Sequence, residues 1–341
     1  MKLFGAAGEE VRGRSAWSWI LSASLAALLL WWALRGVEWK QVAAILVSAD
    51  WRLVVVAAGA TSLSLFLRGL RWRILLNATC RLPVSTVFWA NNAGYLGNNL
   101  LPARAGELIR SFLISSRSTL SRTYVLTTAL SERLMDVITL VLWSSLLLLG
   151  VHTKPGWMEG LSRTMAIVAG AGAAAITVLP HTGRLLETML KWIPMPSRVR
   201  QVALGLAEQV LSGMRVFHSW RRFAGFAGLT VVIWLSDTVG AMAIGRSLGL
   251  ALPFSTAFLL LTGMGLSSAL PSTPGYVGIY QFVAVTVLTL FGYSRDGAIA
   301  MSLVMQTAGY AVVLTFGLIA VFRLRQNRGS DNQRRPAAQT K

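Results

Sequence analysis

Leu82-Pro-Val-Ser-Thr-Val-Phe88 and Leu252-Pro-Phe-Ser-Thr-Ala-Phe258 lie 170 residues apart and agree at five of seven positions. An apolar run follows each, then a glycine, Gly94 or Gly263, and then Leu-Pro-x-x-x-Gly, at Leu101 to Gly106 and at Leu270 to Gly275. Two shared motifs in the same order predict a duplicated unit. Corresponding Gly and Pro interruptions in the two halves of a membrane chain point to its substrate site.

The chain has 341 residues, 54% of them hydrophobic and only 13% charged. Soluble domains carry roughly 25% charged residues, so this is an integral membrane protein. A helix needs about 20 apolar residues to cross a bilayer. Runs of that kind place full spans near 17–34, 53–67, 123–150, 162–180, 223–245 and 297–322. Lys2, Arg12 and Arg14 precede the first, but it is long for a signal peptide and lacks a small-x-small site before Arg35, so a retained helix is expected. The single Cys80 excludes an internal disulfide and reads as a packing residue.

A net charge of +19 raises nucleic acid as a partner, yet the bases sort by side of the membrane. With the amino terminus cytoplasmic, segments 1–16, 68–83, 104–122, 181–222 and 323–341 hold 24 of the 32 Lys and Arg residues. That is the positive-inside bias, and it assigns the bases to anionic headgroups rather than to nucleic acid. The expected location is the inner (cytoplasmic) membrane, multi-pass, with both termini in the cytoplasm.

Between 84 and 116, and between 254 and 291, Pro and Gly interrupt the apolar sequence at its middle. Arg81 and Arg117 bracket the first segment, so it reads as a re-entrant helical hairpin opening to the cytoplasm; the second, with few flanking charges, reads as its inverted counterpart. The expected fold is an all-α polytopic membrane protein with six full transmembrane helices and two oppositely oriented re-entrant hairpins in an inverted repeat. The repeat units run over 51–150 and 220–322. Residues 197–221 place Val199, Val202, Leu206, Val210, Met214 and Phe217 on one helical face, the pattern of an amphipathic interfacial helix. Residues 323–341 are basic and polar without apolar period, and are expected to be disordered.

Candidate chemistry sits at the interruptions. Arg104, Glu107 and Arg110 stand near the tip of the first hairpin, where ionisable groups are costly unless paired or hydrated. A helix restarting after Pro102 would aim free N–H groups at the midplane, giving an anion site in which Glu107 orients Arg104 or Arg110; the alternative is an ion pair that only closes the hairpin. Ser272, Thr273 and Gly275 hold the corresponding place, with Thr273 as a cap and Pro274 at the first helical position. Asn98, Asn99, Ser267, Ser268 and Gln281 add neutral hydrogen-bonding groups, and Gly263, Gly265, Gly275 and Gly278 serve either close packing or ligand contact.

Glu132 and Asp136 share a helix face beside Arg133, and two stacked acids in a membrane helix need a cation. They either lock to arginines or couple protons or ions to transport. Arg68-Gly-Leu-Arg71-Trp72-Arg73 reads as a headgroup-facing girdle at a span end. His152, His181 and His218 have no ligand-spaced partners, and no cofactor, metal set, P-loop or Ser/His/Asp arrangement is read in the chain.

Asn98-Asn-Leu-Leu-Pro-Ala-Arg-Ala-Gly-Glu107 with Arg110, then Glu132-Arg133-x-x-Asp136, then Pro271-x-x-Pro274-Gly275-x-x-Gly278, resemble the lysylphosphatidylglycerol synthase transmembrane family. This is the flippase-like membrane part of MprF and its stand-alone relatives, and the resemblance covers roughly residues 15–322. It implies one flippase-like domain over 1–322, and lipid translocation, or assistance to lipid-linked synthesis, rather than enzymic catalysis. With only residues 323–341 after the last span, lysyl transfer is not expected. The partners implied are anionic or phosphate-bearing lipids, and in the alternative reading a lipid-modifying synthase or glycosyltransferase. An intramembrane enzyme acting on a lipid phosphate and a small-ion exchanger are the remaining readings.

Overall fold

Pro83 and Pro253 each stand immediately before a helix, Val84–Leu100 in one repeat and Phe254–Ser267 in the other. Proline's fixed φ suits that boundary, and the preceding leucines, Leu82 and Leu252, are both buried. The duplicated motif thus gives the same local structure twice. The computed structural model describes residues 23–101, 105–149, 219–268 and 274–334, with isolated positions between 160 and 174.

Ten helices are described: α1 (Ala23–Leu34), α2 (Trp39–Val47), α3 (Trp51–Leu76), α4 (Val84–Leu100), α5 (Gly106–Ser115), α6 (Arg122–Leu149), α7 (Trp220–Ser247), α8 (Phe254–Ser267), α9 (Ile279–Leu290) and α10 (Arg295–Arg334). Short polar side chains start several of them. Asp50 accepts from the Arg52 N–H at 3.0 Å, Ser121 from Tyr124 at 3.2 Å and Ser294 from Gly297 at 3.1 Å, each satisfying a donor that the helix leaves open.

Trp51–Leu76, Trp220–Ser247 and Arg295–Leu324 are long and apolar enough to cross a membrane. α6 is equally long, at 28 residues, but carries Glu132, Arg133 and Asp136 within a few residues of one another. Of the expected span 162–180 only isolated positions between 163 and 174 are described, and of the interfacial helix 197–221 only residues 219–221, the last two of which belong to α7. α3 extends to Leu76 rather than ending near 67, because Arg68, Arg71 and Arg73 continue the helix instead of leaving it. α10 continues to Arg334, into the segment expected to lack order; Arg, Leu and Gln sustain the helix, and no proline comes before Pro336.

The chain forms two compact units, residues 1–61, 96–106 and 237–313, and residues 62–95, 107–236 and 314–341. α3, α4, α7 and α10 each run from one unit into the other. The division crosses the repeats rather than separating them. In the first unit α7, α8, α9 and α10 enclose a core of Ile244, Leu260, Met264, Val283, Leu288 and Met301. In the second, Trp72, Leu75, Val87, Ile114, Val125 and Phe226 pack together from α3 to α7.

Both repeats contain a broken helix pair. In the second, a short 3-10 turn starts at Pro274, the expected position, and the α-helix α9 begins only at Ile279. Between them Gly275 and Gly278 have φ of 76° and 89°, and Tyr276 has φ of 59°. Such left-handed turns interrupt a helix, so the new one starts only where Gln281 accepts from the Gly278 N–H at 2.8 Å.

A buried alternating chain of charges as the candidate functional site

The second unit holds a row of ion pairs drawn from three helices. α3 supplies Arg68 and Arg71, α5 supplies Glu107 and Arg110, and α6 supplies Glu132, Arg133 and Asp136. On α6 the acids are four residues apart and therefore stack, and on α5 Glu107 and Arg110 are three apart and meet. Arg133 donates to Glu107 at 3.0 Å, and Glu107 lies 2.5 Å from Arg110. Arg110 reaches Glu132 at 3.0 Å, Glu132 reaches Arg71 at 2.8 Å, and Arg71 reaches Asp136 at 2.6 Å. Arg68 closes the row, 3.9 Å from Asp136.

The sequence of charges is Arg133, Glu107, Arg110, Glu132, Arg71, Asp136, Arg68: strictly alternating, with an arginine at each end. Four cations face three anions. A buried charge is tolerable only when paired and hydrogen-bonded, and each carboxylate of this row lies between two arginines.

Arg71 is the most completely engaged member. Its Nε and Nη2 donate to Glu132, its Nη1 and Nη2 to Asp136, and its Nη1 also to the Thr230 hydroxyl at 3.1 Å. All five guanidinium N–H groups are used. Phe226 lies against the same guanidinium, 5.1 Å from ring centre to Cζ. The headgroup-girdle reading of Arg71 and Trp72 is therefore overturned, because both side chains are wholly buried. Trp72 is instead the floor under Arg110, at 4.6 Å, and donates its indole N–H to Thr128.

Arg110 also donates to the Asn91 side-chain oxygen at 2.9 Å. Neither Asn91 nor Thr230 was singled out from the sequence. Asn91 lies 19 residues from Arg110 in the chain and Thr230 lies 159 from Arg71, so no local pattern linked them.

In the first unit Gly275 and Gln281 belong to a neutral network. Gln281 donates to Gln306 at 2.7 Å; Gln306 donates to the Gly275 carbonyl at 2.6 Å and to the Tyr310 hydroxyl at 3.0 Å. Tyr276 stacks on Tyr280 with ring centres 5.1 Å apart. Gly263 packs where any side chain would press on Val283. Asn98 and Asn99 end α4 and join neither network, the Asn98 side-chain oxygen being buried without a partner among the described residues. Arg104, Ser272 and Thr273 lie outside the described residues. No group of three His, Cys, Asp or Glu side chains suited to a metal is found among the described residues.

Comparison with known proteins identifies the family of the chain. A 26% identical relative, glycosyltransferase AglD of Haloferax volcanii, aligns over 84% of this chain and 51% of its own length; the chain thus spans about half of that relative. A UPF0104 membrane protein of Pyrococcus horikoshii is 22% identical over 90% of this chain and 96% of its own. A UPF0104 membrane protein of Methanothermobacter thermautotrophicus is 22% identical over 80% and 83%. No solved structure matches. The family described as the lysylphosphatidylglycerol synthase TM region matches residues 19–317, and the chain, a multi-pass membrane protein, belongs to it.

Proposed function

We propose that this protein is a lipid translocase that carries an anionic or headgroup-modified phospholipid, or a polyprenyl-linked lipid, between leaflets of the inner membrane, with both termini cytoplasmic. The observation that carries the reading is the alternating row from Arg133 to Arg68. It ties one helix of a broken pair, α5, to the long helices α3 and α6 through charges buried inside a membrane protein. Such groups are expensive in lipid and mark the pathway of a polar cargo by default. A row of alternating pairs lets a passing phosphate replace one carboxylate partner at a time, so that no arginine is left bare during passage.

The two broken helix pairs act in this reading as re-entrant hairpins entering from opposite faces. Arg104, Asn98, Asn99, Ser272 and Thr273 would line the path near the hairpin tips. Arg71, Glu132 and Asp136 would hold the row together.

Translocation in proteoliposomes tests this, by leaflet-exposure of labelled phosphatidylglycerol and polyprenyl phosphate. The wild type is expected to outpace protein-free liposomes at least tenfold, and Arg110→Gln to lose most of that gain. Wild-type rates equal to those of empty liposomes across the panel would end the proposal.

A second reading has one observation in its favour: a relative named as a glycosyltransferase matches this chain over only half of itself. In that reading the protein presents lipid to a separate synthase or glycosyltransferase and is not itself catalytic. A stoichiometric enzyme recovered with the purified protein, whose product alone disappears on deletion, would favour it.

A further inference from the structure

α2 is tied at both its termini to one end of the first unit. The Glu38 N–H, just before it, donates to the Asp296 carboxylate at 2.9 Å, in the first turn of α10. The Asp50 N–H, just after it, donates at 2.9 Å to the carbonyl of Ser247, the last residue of α7. These two anchors are neighbours, since a side chain on Gly297 of α10 would press on Leu250, just beyond α7. Arg295 also donates to the carbonyls of Trp32 and Arg35, where α1 finishes. With nine residues α2 is about 13 Å long, and the left-handed Gly36, at φ 78°, turns the chain into it. It therefore lies across the helix ends rather than beside the helices.

Those ends mark a membrane boundary. α3 and α10 begin there and α7 stops there, and all three are long and apolar enough to cross a bilayer. A helix laid across them runs in the plane of the membrane, at the depth of the headgroups.

The faces of α2 divide accordingly. Val42, 2% exposed, packs with Ile45 and Leu46 on the core beneath. Trp39, Ala43 and Val47, four residues apart, form an apolar flank that is exposed, Trp39 by 55% and Val47 by 85%. Gln41 and Ala44 take the remaining side, also exposed, and Lys40 stands at its edge. A helix on the surface of a soluble protein needs one apolar and one polar face; a third face, apolar and uncovered, calls for a second apolar phase. Trp31 and Trp51, at the adjoining ends of α1 and α3, are likewise more than half exposed. Tryptophan concentrates where lipid meets water, its ring in the apolar layer and its N–H kept wet, so the phase that fits this flank is lipid.

We propose that α2 is an interfacial helix: Trp39, Ala43 and Val47 rest on the acyl chains of one leaflet, Gln41 and Ala44 face water, and Lys40 meets the lipid phosphates. The surface it fits is the headgroup layer of a bilayer that contains anionic phospholipid. This placement does not depend on translocation. Only the naming of the leaflet, as the non-cytoplasmic one, rests on the orientation given under the proposed function.

Site-directed spin labelling of the full chain in vesicles of phosphatidylcholine and phosphatidylglycerol tests it. Cys80 is replaced by Ala, and a label is attached at Ala43→Cys or at Gln41→Cys, on opposite sides of α2. Collisions with oxygen, which dissolves in lipid, are compared with collisions with a water-soluble nickel chelate. Their ratio is expected to be several-fold higher at Ala43→Cys than at Gln41→Cys. Equal ratios would place the whole helix in water, and shielding of the Ala43→Cys label from both reagents would put protein over the flank; either result overturns the proposal. A second measurement needs no label. Hydrogen exchange over 39–47 in the same vesicles should quicken several-fold in Ala43→Asp, which sets a carboxylate among acyl chains, and change little in Ala44→Asp. The same effect from both variants would also overturn the proposal. An impermeant thiol reagent that reached Gln41→Cys only from the cytoplasmic side would overturn the orientation in the proposed function and leave the interfacial placement standing.

Discussion

Arg71 grips Asp136 with both guanidinium arms, Nη1 on Oδ1 at 2.6 Å and Nη2 on Oδ2 at 2.9 Å, across 65 residues of sequence. This fork joins α3 to α6 in the interior of the second unit. Removing one partner of a buried pair strands the other, at a cost of about 3–5 kcal/mol. Arg71→Met and Asp136→Leu should each lower the thermal midpoint of the purified protein markedly. The double variant should lose less than the sum of the two, since it strands no charge of this pair. Strict additivity in the double-mutant cycle would mean that the two residues are not coupled.

Trp72 predicts a graded response. Trp72→Ala empties a fully buried site and removes the surface under Arg110, for about 3–5 kcal/mol. Trp72→Phe keeps an aromatic face beneath the guanidinium and forfeits the bond to Thr128, for about 1 kcal/mol beyond its lost volume. Chemical denaturation in detergent ranks the variants, and Trp72→Ala should fall well below Trp72→Phe.

Glycines 36 and 278 offer a matched comparison of conformation and space. Both have positive φ, 78° and 89°. A Cβ at Gly36 meets nothing within 4 Å, whereas one at Gly278 would collide with the Ala26 carbonyl. Gly36→Ala should therefore cost about 1–2 kcal/mol, the left-handed penalty alone. Gly278→Ala should cost clearly more and disturb the turn that leads into α9. Comparable thermal midpoints for the two variants would contradict this account.

Gln306 holds the same turn from α10. Gln306→Leu leaves the Gly275 carbonyl and the Gln281 side chain without their partner, and buried groups so stranded cost about 1–3 kcal/mol each. Tyr310→Phe removes only the hydroxyl that accepts from Gln306 and should be milder. Proteolysis near residues 274–278 should quicken in Gln306→Leu and change little in Tyr310→Phe.

Much of this arrangement is legible in one dimension. The membrane class follows from composition, the paired helix breaks from the repeated Leu-Pro motifs, and Glu132 and Asp136 announce themselves as acids on one face of an apolar helix. Arg71 is different. In sequence it sits at the end of an apolar run among Arg68, Trp72 and Arg73, a pattern that fits surface anchoring as well as burial. The same ambiguity extends to Arg68 and Arg110: both stand in basic stretches of sequence that fit a membrane surface, yet both belong with Arg71 to the buried row. In the second broken pair Pro274 starts only a short 3-10 turn, because the left-handed backbone at Gly275, Tyr276 and Gly278 defers the α-helix to Ile279.

Sequence alone determined the class of the protein, the positions of its interruptions and the need of the α6 acids for cations, because hydropathy and helical spacing are properties of neighbours along the chain. Tertiary structure decided which cations answered. Arg71, Arg110, Asn91 and Thr230 come from four helices, and the attraction that joins them to Glu132, Asp136 or one another depends on distance through space, which no periodicity along the chain records.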